Sequence, residues 1–369
     1  MDSKKYRNCI ILCVFEDLIY FIKEKSIISY NIKTNNEVKL VKLPLSKSVQ
    51  FLIRIPFLRR VLRLEFHTEI IKANVLFLII IFRNTVYKID LTNLIIVSSE
   101  KYPLKGRRPL NSTSVIGLNG FDDGIYYGEY FSNIDVKPVL IYRLNKNFEI
   151  AYKFNENEIN HIHAIITDNY RNCLWILAGD FGNCASIWLA KNNFNDMICV
   201  YRGEQKFRSC IGFVFKEGLL YATDSPNNIN TLRIIKIKNE IFENVEICKL
   251  NGPSIYGVRL KDFCVFSTNT ESIYIRKFGF LNLFRTKPAK GIINNKSYLI
   301  MIDDKFNVKI IYFAHKDIFP YGMFQFGTFK FPLYYNVNHN MLFFYSVGNK
   351  IRDYRILEID LDKLKYVQQ

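Results

Sequence analysis

The sequence predicts an all-β chain built as a β-propeller, with seven blades preferred and six or eight as alternatives. Three observations predict it. Hydrophobic residues make up 49% and aromatic residues 15% of the 369 positions, and Ile, Phe, Tyr and Val suit pleated, half-buried surfaces better than helices. Apolar positions alternate or run continuously over short stretches, instead of recurring three and four apart. A hairpin-like unit repeats along the chain, at residues 18–32, 75–89, 124–144, 173–190, 218–237, 263–278, 298–313 and 341–359, mostly at the spacing expected of propeller blades. A lone hairpin is marginal in water, so these units are expected to assemble around one axis.

Residues 1–15 carry basic residues and a short apolar run, yet Glu16 and Asp17 interrupt it and no small-residue cleavage site follows. The segment therefore reads as a strand, not a leader. Residues 49–64 alone have helical amphipathy, broken by Pro56. The longest apolar run, residues 75–82, is about half the length of a spanning helix. These readings give one domain over residues 1–369, with the terminal strands sharing a closing blade that accounts for the eighth hairpin. The expected location is cytoplasmic, with peripheral contact at the inner face of a membrane as an option. Eight cysteines are too few for a disulfide scaffold in a chain this long, and several fall inside apolar strand patterns, as buried thiols do.

The excess of 51 Lys and Arg over 34 Asp and Glu gives a net charge of +17, which favours anionic partners. Zinc-finger spacing, an RNA-recognition signature and an Arg-rich tail are all missing, so nucleic acid is not an expected partner. An acidic glycan or saccharide is. The stretch 51–66, with Arg54, Arg59, Arg60 and Arg63 among Leu, Ile and Phe, and the similar stretch 277–290, offer a second contact, with an anionic membrane surface. The competing reading makes 51–66 an inter-blade connection with solvated arginines.

His161 and His163 lie two apart and so project to one face of a strand. A turn at residues 168–172 reverses the chain, and the return strand brings Gly179 and Asp180 level with them. In a propeller, first-strand beginnings and second-strand ends meet at one rim. That geometry gathers Arg107 or Arg108 with Glu129, then His161, His163 and Asp180, then Gln205, Arg208, Asp224 and Asn230. Glu129 and Asp180 are the candidate acid and base or nucleophile for glycoside hydrolysis. Arg107 and Arg208 suit a sugar carboxylate, while Gln205, Asp224 and Asn230 complete the expected binding set. A histidine could instead abstract a proton alpha to a neutralised uronate, giving elimination. Neither route requires a cofactor. A divalent metal held by His161 and His163 with a carboxylate is the third option.

The segments Gly128-Glu129-Tyr130-Phe131, His161-Ile162-His163 with Asp168, Ala178-Gly179-Asp180, Gly203-Glu204-Gln205 with Arg208, and Thr223-Asp224 with Asn228 and Asn230 resemble the sialidase-like propellers with BNR (Asp-box) repeats. Leu144-Asn145-Lys146-Asn147-Phe148 and Ala190-Lys191-Asn192-Asn193-Phe194 stand where that family has its Ser-x-Asp-x-Gly-x-x-Trp turn, in degraded form. Arg54-Ile55-Pro56 matches the family's Arg-Ile-Pro element, although its surroundings and the degraded Asp boxes argue against a triad of arginines. The resemblance implies the propeller fold and only weakly the reaction; with the rim residues it gives the first reading, a propeller enzyme that processes an acidic saccharide by hydrolysis or elimination. The alternative is a non-catalytic propeller that binds glycan, lipid-linked saccharide or protein in surface-polysaccharide biosynthesis.

Overall fold

The computed structural model describes residues 6–72, 76–83, 85–101, 109–145, 147–272, 283–332 and 334–365. It is a seven-bladed β-propeller. Five blades are antiparallel four-stranded meanders, one carries an added fifth strand and one has three strands. Two compact units divide the chain, residues 1–100 with 256–369 and residues 101–255.

The graded burial of the strands explains the periodicities in the sequence. Inner strands such as Cys173–Gly179 (CLWILAG) are buried at every position, because sheets cover both faces, and so read as continuous apolar runs. Outer strands such as Asp196–Arg202 and Val308–His315 alternate between exposed and half-buried positions. Bulges recur between third and fourth strands, at Ile141/Tyr142, Ile187/Trp188, Leu232/Arg233 and Leu299/Ile300, where an extra residue adds local twist.

The second unit contains three blades. Blade 3 is Ser112–Val115, Gly124–Gly128, Val139–Leu144 and Phe148–Phe154. Blade 4 is His161–Asp168, Cys173–Gly179, Ser186–Lys191 and Asp196–Arg202. Blade 5 is Ser209–Phe215, Gly218–Thr223, Asn230–Lys238 and Ile241–Leu250. In blade 4 the first hairpin closes on Asp168, which is fully buried. Its Oδ1 accepts the Tyr170 and Arg171 N–H groups, and its Oδ2 accepts Arg171 Nη1 at 2.9 Å and Trp175 Nε1 at 3.0 Å. Asp168 thus pins the hairpin and the buried Trp175 indole together. Asp168→Ala orphans that indole N–H and takes away the guanidinium's counter-charge, leaving Arg171 the Phe215 and Lys216 carbonyls, and is expected to cost about 3 kcal/mol in a denaturant titration. A change within about 0.5 kcal/mol, typical of a surface site, would show the contact to be dispensable.

In the first unit, the first strand, Cys9–Phe15, pairs antiparallel with Leu18–Lys23 and parallel with Tyr334–Asn336. Cys9 N–H also donates to Tyr354 O at 3.0 Å, joining the early strand to residues near the other end of the chain. Eight expected hairpins fall in seven blades: in blade 6, Phe263–Thr268 stands between Ser254–Arg259 and Lys296–Asp303, and residues 273–278 lie outside the described residues. Phe263–Thr268 pairs with Lys296–Asp303 across a long connection, so the sixth and seventh expected hairpins belong to one blade. The strands of the first and eighth expected hairpins lie in different sheets, while Tyr334–Asn336 joins the sheet of Cys9–Phe15.

The amphipathic stretch at 49–64 forms two helices, α1 (Lys47–Arg54) and α2 (Pro56–Val61). Ser46 caps α1 by accepting the Val49 N–H, and Pro56 opens α2 at a position where a helix has no use for a proline N–H. The stretch is an inter-blade connection, between Glu37–Lys42 and Phe66–Lys72, and Arg54 and Arg63 are exposed, but Arg59 and Arg60 depart from both readings. Arg59 and Arg60 are buried, at 0% and 3% exposure, while Phe51, Phe57 and Leu62 are exposed. Arg60 donates to Phe324 O and Gln325 O and pairs with Asp317 and Asp353. Arg59 lies 4.6 Å over the Tyr354 ring, and its Nη1 reaches Asn8 Oδ1 at 3.3 Å. These two arginines tie the helices to the interior and are closed to lipid. Among the described residues, no helix is long and apolar enough to cross a membrane.

Candidate functional site

The site lies wholly in the second unit and is built from strand ends. His161 opens the first strand of blade 4 and pairs with Gly179 at the end of the second strand, directly before Asp180. The register slips between Ile162 and Ala164, so His163 is the extra residue of a bulge. A regular strand would hold side chains two apart roughly 7 Å from one another. Here the two Nε2 atoms are 3.0 Å apart. Gly179 makes room for this arrangement, since a Cβ there would fall 2.1 Å from His163 Cε1.

Blade 5 repeats the device. Arg208 precedes its first strand, Cys210 sits in a bulge between Ser209 and Ile211, and Asp224 follows the second strand. Arg208 Nη2 lies 3.2 Å from Asp180 Oδ1 and 3.3 Å from Asp224 Oδ2, bridging the two carboxylates, and its guanidinium stacks 4.9 Å over the Phe181 ring. The Cys210 thiol donates to Asp224 Oδ2 at 3.3 Å. Burial pushes that thiol well above its ordinary range and keeps it protonated. Blade 3 supplies Tyr130, whose ring meets that of His161 edge-on with centroids 4.7 Å apart.

The hydrogen bonds define the histidine tautomers. His161 Nδ1 lies 3.0 Å from Phe131 O, and His163 Nδ1 lies 2.8 Å from Ser209 O. A carbonyl oxygen only accepts, so both Nδ1 atoms carry hydrogen, and in the neutral rings both Nε2 lone pairs are bare. Each Nε2 lies 3.4 Å from the same oxygen, Asp180 Oδ1. Burial lowers the His161 pKa below its usual value, against the opposing pull of Asp180. For Asp180 itself burial acts upward, while the Arg208 guanidinium beside it pulls the carboxyl down. Burial raises the Asp224 carboxyl, with Arg208 opposing.

The remaining expected residues divide. Gln205 belongs to the surroundings of Asp180: its Nε2 donates to Asp180 O at 3.0 Å and its Oε1 accepts from Ser225 Oγ. Asn230 is committed to its own turn. Its Oδ1 accepts from Thr223 Oγ1 and Ser225 N, and its Nδ2 donates to Ser225 O and Asn228 O, which uses the hydrogen-bonding capacity of the amide. Glu129 is buried, at 1% exposure, and its Oε2 accepts the Leu140 N–H at 2.9 Å. Arg107 and Arg108 lie outside the described residues. Cys210 and Tyr130 join the cluster without having been singled out for it. The spacing Arg208-Ser209-Cys210, which repeats that of His161-Ile162-His163 one blade later, is the signal that would have found Cys210.

Among the described residues, His161, His163 and Asp180 are a group able to hold a metal ion. No family model matches the sequence, and no curated protein matches it. Solved structures do match. The β-propeller domain of Cps50 (Swd1) from Myceliophteria thermophila is similar at 8% identity with a TM-score of 0.53, covering 95% of this chain and 96% of that one. A chain in the crystal structure of a mitotic checkpoint complex is similar at 7% identity with a TM-score of 0.48, covering 95% and 88%. At 8% identity the likeness to the Cps50 domain shows a shared fold alone.

Proposed function

We propose that the chain is a non-catalytic propeller that binds a partner protein, through a surface in its first unit that recognises a segment with apolar and acidic side chains. The observation that carries this reading is the inverted burial of α2. Arg59 and Arg60 turn inward, while Phe57 and Leu62 are 48% and 41% exposed. Phe57 continues into Phe319, 42% exposed, with ring centroids 6.1 Å apart, and the neighbouring Ile318 is 83% exposed. Aromatic anchors of this kind are enriched at protein interfaces. Phe57 also packs on Phe324, at the end of the short helix Tyr321–Phe324. That helix borders a cavity of about 320 Å³ whose lining includes Arg63, Arg285, Tyr321 and Phe326. Arg63 and Arg285 outnumber the one acid in its wall, Glu271, which favours an acidic side chain.

Glycan hydrolysis by an acid and base pair draws less support. The Glu129 carboxylate faces a backbone N–H, and Asp180 is held among His161, His163 and Arg208. Propeller rings host both binding and catalysis, so the fold alone favours neither.

The test begins with a partner isolated from the source organism, identified, purified and recombined with this chain. The double variant Phe57→Asp/Phe319→Asp is expected to weaken that complex by about 100-fold or more, the scale of hot-spot truncation. Ile150→Asp, at a position 61% exposed in the other unit, is expected to leave it unchanged. Release of reducing ends or unsaturated uronate from an acidic polysaccharide, lost in His163→Ala, would replace this reading with the enzymatic one.

A further inference from the structure

The three acceptors that converge in blade 4 raise a problem that the protein's own groups leave unsolved. With Nδ1–H of His161 given to Phe131 O and Nδ1–H of His163 given to Ser209 O, two bare nitrogen lone pairs and a carboxylate oxygen point at one another across 3.0, 3.4 and 3.4 Å. The Arg208 guanidinium, 3.2 Å from that same oxygen, answers the carboxylate, but the two imidazole lone pairs, 3.0 Å apart, have no hydrogen between them in this tautomer and repel. Something electrophilic must stand between them. From these distances and contacts we infer that His161 Nε2, His163 Nε2 and Asp180 Oδ1 are ligands of a divalent transition metal of the zinc class.

The distances fit such an ion. Zinc bonds to imidazole nitrogen and carboxylate oxygen of about 2.0–2.1 Å give tetrahedral ligand-to-ligand edges of about 3.3 Å. The three edges here bracket that value before any adjustment. Two neutral imidazoles and one carboxylate also suit a borderline-soft cation better than magnesium or calcium, which take oxygen. The outer contacts are those of a metal centre. Each ligating ring donates its distal N–H to a backbone carbonyl, which fixes tautomer and orientation and raises ligand basicity. The Asp180 main chain is clamped on both sides, with its N–H given to Asn160 Oδ1 and its carbonyl accepting Gln205 Nε2, each at 3.0 Å. Arg208 shares its charge with Asp224, so it does not neutralise Asp180 alone. His163 is 1% exposed and His161 5%, while the Asp180 side chain is 27% exposed. An ion would therefore be enclosed on its imidazole side, with a fourth position left for water.

The rival occupant is a proton shared between the two Nε2 atoms, which makes one ring an imidazolium. A shared proton leaves the chain without retained metal, so the metal assay separates the two. The site is independent of the partner-binding surface, which lies in the other unit, so the two readings stand or fall separately.

The test uses the whole chain, stripped with a chelator, incubated with Zn²⁺ or Co²⁺ alone, desalted and assayed for metal. Retention of one equivalent is expected, with the visible d–d bands of tetrahedral Co²⁺. His163→Ala and Asp180→Asn should each lose that equivalent, and His339→Ala, outside the cluster, should keep it. X-ray absorption of the zinc-loaded wild type should count two imidazoles, a result that needs no variant to fold. Wild-type protein that is folded by circular dichroism and retains no metal would overturn the inference. So would retention of the full equivalent by a folded ligand variant, or an absorption spectrum without imidazole scattering.

Discussion

Arg60→Ala is expected to destabilise the protein by about 3–5 kcal/mol, the scale found when one partner of a buried ion pair is removed. The reason is geometric. The guanidinium is 3% exposed and bridges Asp317 and Asp353, while also capping the carbonyls of Phe324 and Gln325. Removing it leaves two partly buried carboxylates facing each other, and burial already pushes the Asp353 carboxyl upward against the pull of Arg60. Lys316 stays beside Asp317, so part of the compensation survives. Arg60→Lys should recover only a fraction, because an ammonium cannot span both acids and both carbonyls. Denaturant titration decides the matter. A loss below about 1 kcal/mol would mean that the pair behaves like a solvated surface bridge.

Gly179→Ala is the second large effect, and it reads out in two ways. The added methyl would sit 2.1 Å from His163 Cε1 and 2.7 Å from Nε2, closer than any relaxed contact. His163 cannot withdraw without giving up Ser209 O, its Nδ1 partner. The expected cost is about 1–3 kcal/mol from overpacking, together with loss of zinc uptake as Nε2 leaves its partners. Gly117→Ala is the matched control. Gly117 has φ +65° with nothing within 4 Å of an added Cβ, so it brings backbone strain of about 1 kcal/mol and should leave metal uptake intact. Full metal uptake by Gly179→Ala would show that His163 is not a ligand.

The ring was legible in the sequence wherever neighbouring strands pair. The hairpins at 124–144, 173–190 and 218–237 correspond to second and third strands joined by local connections. Blade 6 was not legible in the same way, because the partner of Phe263–Thr268 lies beyond residue 295, and no local pattern encodes that distance. The meeting of His161, His163 and Asp180 followed from a two-residue period and one turn. The bulge that brings the imidazoles to 3.0 Å has no such signature, since only the register reveals it. Arg60 was misread for a related reason. An arginine in an amphipathic stretch looks solvated until its acids are known, and these lie 257 and 293 positions away. Glu129 and Asn230 show the reverse case, polar residues near a rim whose side chains hold backbone in place.

The central claim is that the two imidazoles turn bare Nε2 atoms toward Asp180, and long-range ¹H–¹⁵N spectra of the histidine side chains, recorded at neutral pH with and without zinc, test it most directly. The account predicts Nδ1–H tautomers for His161 and His163 in both states, with the Nε2 resonances of these two residues displaced on adding zinc. Nε2–H tautomers, or an imidazolium whose resonances zinc leaves in place, would contradict it.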